Sequence, residues 1–164
     1  MESNQTSWQK PRFILGMALI GLGGLLRLIA FNTPFTGDEA STYYEFIRLP
    51  LLEIPFHYPV PNNHIFHNMV SRVMTLVFTE SVVAIRLTAF LFGLGLIFIA
   101  YQYGRENAGR WWGIMAGSIV AIVPFFIDFS TRARGYTMVG FFALSGLLFA
   151  RRIVREDRLV DHLG

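Results

Sequence analysis

The sequence predicts an all-α membrane protein with about four transmembrane helices and two interfacial helices in the first extracytoplasmic loop. Of its 164 residues, 53% are hydrophobic and only 15% are charged, a composition outside the range of ordinary soluble domains. The apolar residues fall in runs of about twenty, the length that an α-helix needs to cross roughly 30 Å of hydrocarbon. The chain has no cysteine, which excludes disulfides, thiolate metal sites and cysteine nucleophiles.

The first predicted span covers residues 13–31 and follows a polar leader. This run is too long for the apolar region of a signal peptide, and its exit, Phe31-Asn32-Thr33-Pro34, lacks a small-residue cleavage pattern. We therefore expect a retained helix. Arg27, near its end, must either snorkel to water or find an acidic partner.

Residues 32–80 form the predicted extracytoplasmic loop, which is polar but rich in aromatic residues. Apolar and polar residues mix at helical spacing over residues 38–49. In 63–78, Ile65, Met69, Val73 and Leu76 recur at three and four, which predicts a helix lying along the membrane surface. The prolines between the two segments predict an ordered, non-helical connector over residues 57–62.

Three further spans are predicted over residues 82–103, 111–127 and 136–150, and the cations set their orientation. One side carries eight cationic residues: Lys10, Arg12, Arg105, Arg110, Arg151, Arg152, Arg155 and Arg158. The other side carries fewer: Arg48, Arg72, Arg132 and Arg134, with Arg86 just inside the second span. Cytoplasmic loops are enriched in Lys and Arg, so the N-terminus is predicted to be cytoplasmic. The net charge of +3 then reflects topology, and we expect no nucleic-acid partner.

The first candidate motif, Gly37-Asp38-Glu39-Ala40, follows the first span. Adjacent carboxylates on a helix point about 100° apart, so one can face a pocket while the other pairs with an arginine. The simpler interpretation is that Asp38 caps the helix and Glu39 suits its first turn.

The second candidate is the pair His64 and His67. If a helix begins near Asn62 or Asn63, the two imidazoles share one face at a spacing of three residues. They could donate two ligands to a metal or contact a phosphate, but they lack the glutamate of a zinc-protease helix. A polar stripe on an interfacial helix is the stronger interpretation.

The third candidate is the loop 128–136, in which Arg132 and Arg134 lie beside hydroxyl groups. A guanidinium offers a planar fork of donors that suits a phosphate. The alternative is that the two arginines neutralise Asp128, Glu39 or lipid phosphates. Arg86 is expected to reach the same layer by snorkelling, and the convergence of these motifs on one side predicts a site for an amphiphile with a charged head.

In this order and placement the motifs Gly37-Asp38-Glu39-Ala40, Pro61-Asn62-Asn63-His64, Ala84-Ile85-Arg86-Leu87 and Arg132-Ala133-Arg134-Gly135-Tyr136 resemble the N-terminal part of GT-C membrane glycosyltransferases. The closest resemblance is to bacterial members related to protein O-mannosyltransferases and to the lipid A aminoarabinose transferase. It implies an enzyme of the bacterial cytoplasmic membrane that uses a polyprenyl-phosphate sugar donor on the extracytoplasmic side. Some relatives use a divalent metal and others do not, so the cofactor stays open, with His64 and His67 as candidate ligands.

The resemblance also implies roles for individual residues. Asp38 would be the base or acceptor-orienting carboxylate of an inverting transfer, supported by Glu39. Arg134, with Arg132, would hold the donor phosphate. The remaining substrate-binding candidates are Asn63, His64, Arg86 and Tyr136.

The length is the main departure from the resemblance, because relatives usually continue for many more spans. We therefore expect residues 1–164 to be the N-terminal portion of a longer transmembrane domain. Two other interpretations remain: a non-catalytic four-span assembly subunit that binds lipid or a partner, and a transporter fragment. The sugar, the acceptor and the oligomeric state are not predicted.

Overall fold

The computed structural model describes the backbone of residues 10–60 and 63–161, and their regular structure is helical. The elements are α1 (Lys10–Ala30), α2 (Gly37–Thr42), a π-helical turn (Tyr43–Ile47), a 3₁₀ turn (Ile54–Phe56), α3 (Ile65–Phe78), α4 (Val82–Ala108), α5 (Arg110–Ile122), α6 (Pro124–Thr131) and α7 (Tyr136–Asp161). Residues 1–9, 61–62 and 162–164 lie outside the described residues, as do the side chains of Lys10, Arg12 and Arg158.

The helices confirm an all-α membrane protein. Two are long and apolar enough to cross a membrane, α4 and the part of α7 over Tyr136–Arg155. A third span results if α5 and α6 are counted together, although they are bent by 57°. Ile14–Ala30 of α1 is a shorter apolar helix.

Helix α4 is the centre of the bundle and packs against α1, α3, α5, α6 and α7. The core around it contains Leu19, Ile97, Tyr101, Val120 and Leu148. Glycines bring α4 and α5 close together: a Cβ on Gly104 would lie 2.6 Å from the Trp112 carbonyl oxygen, and one on Gly113 would lie 2.8 Å from the Tyr101 carbonyl oxygen. The two helices therefore form a tight hairpin through small residues, as is common in membranes.

The predicted third span is interrupted at Pro124, and Arg27 of α1 fills the interruption. Proline has no N–H, so the bend frees the carbonyls of Val120 and Ala121 from helical bonding. Arg27 Nη2 donates to Val120 O at 2.9 Å, and Nη1 donates to Ala121 O at 3.1 Å. Arg27 is fully buried, so the expectation of snorkelling or an acidic partner is wrong. The carbonyl end of α5 carries a partial negative charge that favours a cation.

The interfacial helix α3 buries its polar side. His67, Asn68, Ser71 and Thr75 are buried, whereas Val73 and Leu76 of its apolar side are 40% and 62% exposed. Ser71 donates a hydrogen bond of 2.9 Å to Thr88 of α4. Helix α3 thus faces the bundle with hydrogen-bonding groups and leaves its apolar side free to meet lipid.

Two groups of ion pairs mark opposite ends of α4. At its C-terminal end, Arg152 of α7 pairs with Glu106 through both guanidinium and carboxylate. At its N-terminal end, Arg86 reaches the exit of α1 and a glutamate of α2. The three candidate motifs lie at this second end.

Candidate functional site

Glu39 is the centre of the site and is completely buried. It lies in the first turn of α2, where Thr36 and Glu39 form a capping box: the Glu39 carboxylate accepts from Thr36 N at 3.1 Å, and Glu39 N donates to Thr36 Oγ1 at 3.4 Å. The backbone N–H of Ala133, in the loop before α7, donates to Glu39 Oε1 at 3.0 Å. One carboxylate therefore ties the start of α2 to the start of α7.

Arg86 holds Glu39 from α4 and is buried with it. Its Nε and Nη2 donate to the two carboxylate oxygens of Glu39 at 2.7 and 2.8 Å. Its remaining N–H groups donate to the carbonyls of Phe31, Thr33 and Pro34. All five guanidinium donors are thus taken, and Arg86 does not snorkel as the sequence suggested.

Charge stabilises this buried pair. Burial alone would raise the pKa of Glu39, but hydrogen bonds from Arg86, Ala133 and Thr36 outweigh burial and hold the pKa below its usual value. Glu39 is therefore an ionised, fully bonded carboxylate in the folded state.

Asp38 points the other way and leaves 80% of its side chain exposed. Its Oδ2 lies 3.7 Å from Arg134 Nη1. The capping role considered for Asp38 belongs to Thr36. The two neighbouring carboxylates therefore diverge, and each pairs with a different arginine: Glu39 with Arg86 inside the protein and Asp38 with Arg134 at the surface.

Arg134 is 7% exposed, and it differs from Arg132 in its ion-pair partner. Arg134 Nη2 donates to Tyr136 Oη at 3.3 Å, and its Nε has no partner. Arg132 instead pairs with Asp128 at 2.7 Å, one turn earlier on α6. The structure brings Arg134 to Asp38 and turns Arg132 towards Asp128.

Aromatic contacts and a glycine join α3 to the loop before α7. The Tyr136 ring packs edge-on against His64, with centroids 5.0 Å apart, and against Phe129, with centroids 4.5 Å apart. A Cβ on Gly135 would stand 2.9 Å from His64 Cβ. Only glycine allows this approach without displacing the histidine.

The two histidines do not share one face of a helix. Helix α3 begins at Ile65, so His64 is its non-helical N-cap, while His67 is inside the helix and 1% exposed. Burial, followed by the charge of Arg134, lowers the pKa of His64. Among the described residues no group of three His, Asp or Glu side chains is arranged to hold a metal.

A chain of side-chain hydrogen bonds orients His67. Asn63 Nδ2 donates to the His57 carbonyl at 3.1 Å, Asn68 Nδ2 donates to Asn63 Oδ1 at 3.0 Å, and His67 Nδ1 lies 3.2 Å from Asn68 Oδ1. Asn63 is therefore part of the support of His67.

A groove of about 440 Å³ lies on the other side of Arg86, between the C-terminal end of α1 and the N-terminal end of α4. Its lining is mostly apolar: Leu28, Phe31, Asn32, Thr33, Phe35, Val82, Val83 and Arg86. It places apolar surface beside Arg86.

Two functional features went unrecognised at the level of sequence. Thr36-Gly37-Asp38-Glu39 fits the capping-box pattern of a threonine followed three residues later by a glutamate, which points to Glu39 as the bonded carboxylate. No role is predicted for Asn68 from the sequence, and no local sequence pattern indicates that its side chain connects Asn63 to His67.

No curated protein and no solved structure matches the chain. A family model described as dolichyl-phosphate-mannose-protein mannosyltransferase matches residues 62–164. The match contains His64, Arg86 and Arg134, whereas Asp38 and Glu39 precede it. Because the match covers more than half of the chain, the chain belongs to the dolichyl-phosphate-mannose-protein mannosyltransferase family, which is consistent with a glycosyltransferase of the GT-C type.

Proposed function

We propose that this chain carries the site of a membrane glycosyltransferase that uses a polyprenyl-phosphate sugar donor at the extracytoplasmic face. The observation that carries the proposal is the pairing of an exposed carboxylate, Asp38, with a nearly buried guanidinium, Arg134, at 3.7 Å. Family membership supports the reaction class.

Asp38 is the proposed base. In an inverting transfer the acceptor hydroxyl attacks the anomeric carbon, the bond from that carbon to the phosphate oxygen breaks, and the lipid phosphate leaves with the electron pair. The hydroxyl proton passes to the Asp38 carboxylate, which is 80% exposed and so accessible to an acceptor. Glu39 is a positioning residue, since its oxygens are occupied by Arg86, Ala133 and Thr36.

Arg134 is the proposed phosphate ligand. Its Nε–H has no partner, and its guanidinium is held between Asp38 and Tyr136. A cation in this place stabilises the negative charge that grows on the leaving phosphate. Arg86 is proposed to position Glu39 rather than to bind substrate, because its donors are occupied.

The apolar groove beside Arg86 suits the hydrocarbon chain of a lipid-linked donor. It opens between two helices of the bundle at the end where the charged residues lie. A donor with a lipid chain and an anionic head matches both features.

The test is release of polyprenyl phosphate from polyprenyl-phosphate mannose by membranes that contain the protein. We expect Asp38→Asn to slow release at least 100-fold, because a positioned base contributes about 10²- to 10⁴-fold. Glu53→Gln is the matched control, since Glu53 is an exposed carboxylate of the same loop.

Insertion of each variant is checked by its recovery in the membrane fraction. Unchanged turnover in Asp38→Asn would overturn the assignment of the base. Absence of transfer in the unmodified protein, together with stable co-purification of another membrane protein, would favour an assembly subunit instead.

A further inference from the structure

Three buried nitrogens without a hydrogen-bond partner belong to side chains at the start of α3 and in the loop before α7. They are Nε2 of His64, Nε2 of His67 and Nε of Arg134. His64 joins the two segments by contact, since its side chain lies against Gly135 and Tyr136, and Tyr136 is hydrogen-bonded to Arg134. His67 follows His64 by three residues in α3. Buried polar atoms almost always have partners, so three unpartnered nitrogens on these neighbouring segments indicate a place where a polar ligand can bind.

The hydrogen-bond chain behind His67 fixes its tautomer. The His57 carbonyl can only accept, so Asn63 must present its amide nitrogen to it and its oxygen to Asn68. Asn68 must then donate through Nδ2 and accept through Oδ1, which faces His67 Nδ1 at 3.2 Å. His67 therefore carries its proton on Nδ1, and Nε2 presents a bare lone pair.

The Nε2 lone pair of His67 is suited to accept a hydrogen bond from a hydroxyl group, and it is not suited to abstract a proton as a general base. Burial lowers the pKa of His67 to about 4, and the nearby His64 and Arg134 act in the same direction, against the hydrogen bond to Asn68. A base this weak is poorly matched to abstract a proton near neutral pH. It can still accept a hydrogen bond.

The region thus combines an acceptor with a donor. Arg134 Nε–H can only donate, which requires an acceptor such as a phosphate oxygen. His67 Nε2 can only accept, which requires a hydroxyl. A ligand that carries a hydroxyl group close to an anionic phosphate satisfies both atoms at once.

We propose that His67 Nε2 accepts a hydrogen bond from a hydroxyl of the donor sugar, while Arg134 holds the phosphate attached to that sugar. His67 is then a specificity-determining residue rather than a base. This inference rests on the proposed function, and it assigns a substrate contact that Asp38 does not make.

The first test needs no substrate. Long-range ¹⁵N–¹H correlation spectra of the detergent-solubilised protein, labelled with ¹⁵N-histidine, report which ring nitrogen of each histidine is protonated. We expect the Nδ1–H form for the signal that disappears in His67→Phe. An Nε2–H form would overturn the proposal, and so would a shift of this signal on chelator addition, because the lone pair would then bind a metal ion.

The second test compares polyprenyl-phosphate mannose with its four monodeoxy analogues. In the unmodified protein one analogue should lose about tenfold in kcat/KM, the effect of one neutral hydrogen bond. His67→Phe should lose about tenfold on the parent donor and nothing further on that analogue. If His67→Phe lowers kcat/KM by the same factor on the parent donor and on all four analogues, the effect of the substitution is structural and the proposal is overturned.

Ser71→Ala is the matched control. It removes another buried hydrogen bond of α3, one turn after His67, and should preserve the ranking of the analogues. If His67→Phe does not fold, Asn63→Leu is the alternative variant. It removes the hydrogen bonds from Asn63 to the His57 carbonyl and from Asn68 to Asn63, so the orientation of Asn68 is no longer fixed and the fraction of His67 protonated on Nε2 should rise. An unmodified protein that transfers nothing defeats the proposed function, whereas transfer without an analogue-selective loss defeats only the role of His67.

Discussion

Glu39 and Arg86 form a buried ion pair in the site, and each side chain fixes the position of the other. Both side chains are buried, and every donor and both acceptor oxygens have partners. Removing one member of such a pair leaves the other charge buried and uncompensated. The pair should therefore tolerate joint replacement better than single replacement.

We expect Arg86→Met to lower the free energy of unfolding by about 3–5 kcal/mol. The control is Arg72→Met, which removes a pair with the half-exposed Glu80 and should cost roughly 0–1 kcal/mol. Denaturant titration in detergent micelles measures both variants. The double variant Glu39→Gln with Arg86→Met should lose less unfolding free energy than the sum of the losses in the two single variants. Equal losses in Arg86→Met and Arg72→Met would contradict the burial of the Glu39–Arg86 pair.

Acid should weaken the fold through Glu39 and His67. The pKa of Glu39 is lowered in the folded state, so its contribution is present above its ordinary pKa and is lost as the pH falls through the folded value. The pKa of His67 is lowered from 6.5 to about 4. Between these values the unfolded chain binds a proton that the folded chain does not, so stability falls as the pH falls.

The contribution of His67 can be isolated from the slope of the unfolding free energy against pH. It adds at most about 1.4 kcal/mol per pH unit to the unfolding free energy. His67→Phe should flatten the dependence between pH 6.5 and 4, whereas Ser71→Ala, on the same buried side of α3, should leave it unchanged. A slope that persists in His67→Phe would show that another group causes it.

The separate roles of Asp38 and Glu39 show how far sequence reasoning reaches at this scale. Helical geometry predicts that the two carboxylates diverge, and the structure agrees. Which of them turns inward depends on the rotation of α2, and that rotation is set by Arg86 and Ala133, which are 47 and 94 residues away from Glu39. No local pattern contains this information.

At the scale of elements, a side-chain hydrogen-bond donor replaces a missing backbone donor at the break between α5 and α6. Pro124 withholds the N–H that would reach Val120, and Arg27 supplies a side-chain N–H in its place. Gly93 makes room, since a Cβ there would lie 3.3 Å from Arg27 Nε and 2.4 Å from Ser130 Oγ. The bend therefore depends on residues of four helices, α1, α4, α5 and α6, and not on proline alone.

Arg27→Met should destabilise the protein by about 2–5 kcal/mol, because two buried carbonyls lose their donors. Adding Pro124→Ala to this variant should recover part of the loss, since alanine restores an N–H facing Val120. Thermal unfolding of the two variants in detergent provides the comparison. Additive losses would mean that Arg27 does not substitute for the missing backbone donor.

The helices themselves follow from simple patterns, with exceptions that have physical causes. Ser81 caps α4 through Ala84 N, and the predicted start at residue 82 agrees. Its end at Ala108 lies beyond the apolar run because charged residues continue the helix outside the predicted 82–103 segment. Pro124 was visible in the sequence, but its partner Arg27 lies 93 residues from Val120.

At the scale of the whole molecule, the ion pairs define two ends, one with Glu106 and Arg152 and the other with Glu39 and Arg86. The excess of cations around the first end predicts that it is cytoplasmic. The proposed site then faces the extracytoplasmic side, and its orientation can be tested directly.

The absence of cysteine makes single-cysteine labelling clean. Leu52→Cys, at a side chain that is 80% exposed, should react with a membrane-impermeant maleimide in intact cells. Ala108→Cys, at the end of α4, should react only after lysis. The reverse pattern would place the proposed site on the cytoplasmic side.

The bonding of Glu39 also sets an order of events during biosynthesis. Its two most distant partners, Arg86 and Ala133, leave the ribosome 47 and 94 residues after it. Until Ala133 has been synthesised, the Glu39 carboxylate lacks one of the hydrogen bonds that it accepts in the complete fold. Assembly of the site is therefore completed late in synthesis, because a chain arrested between residues 86 and 133 contains Arg86 but not the Ala133 N–H that joins α2 to the loop before α7.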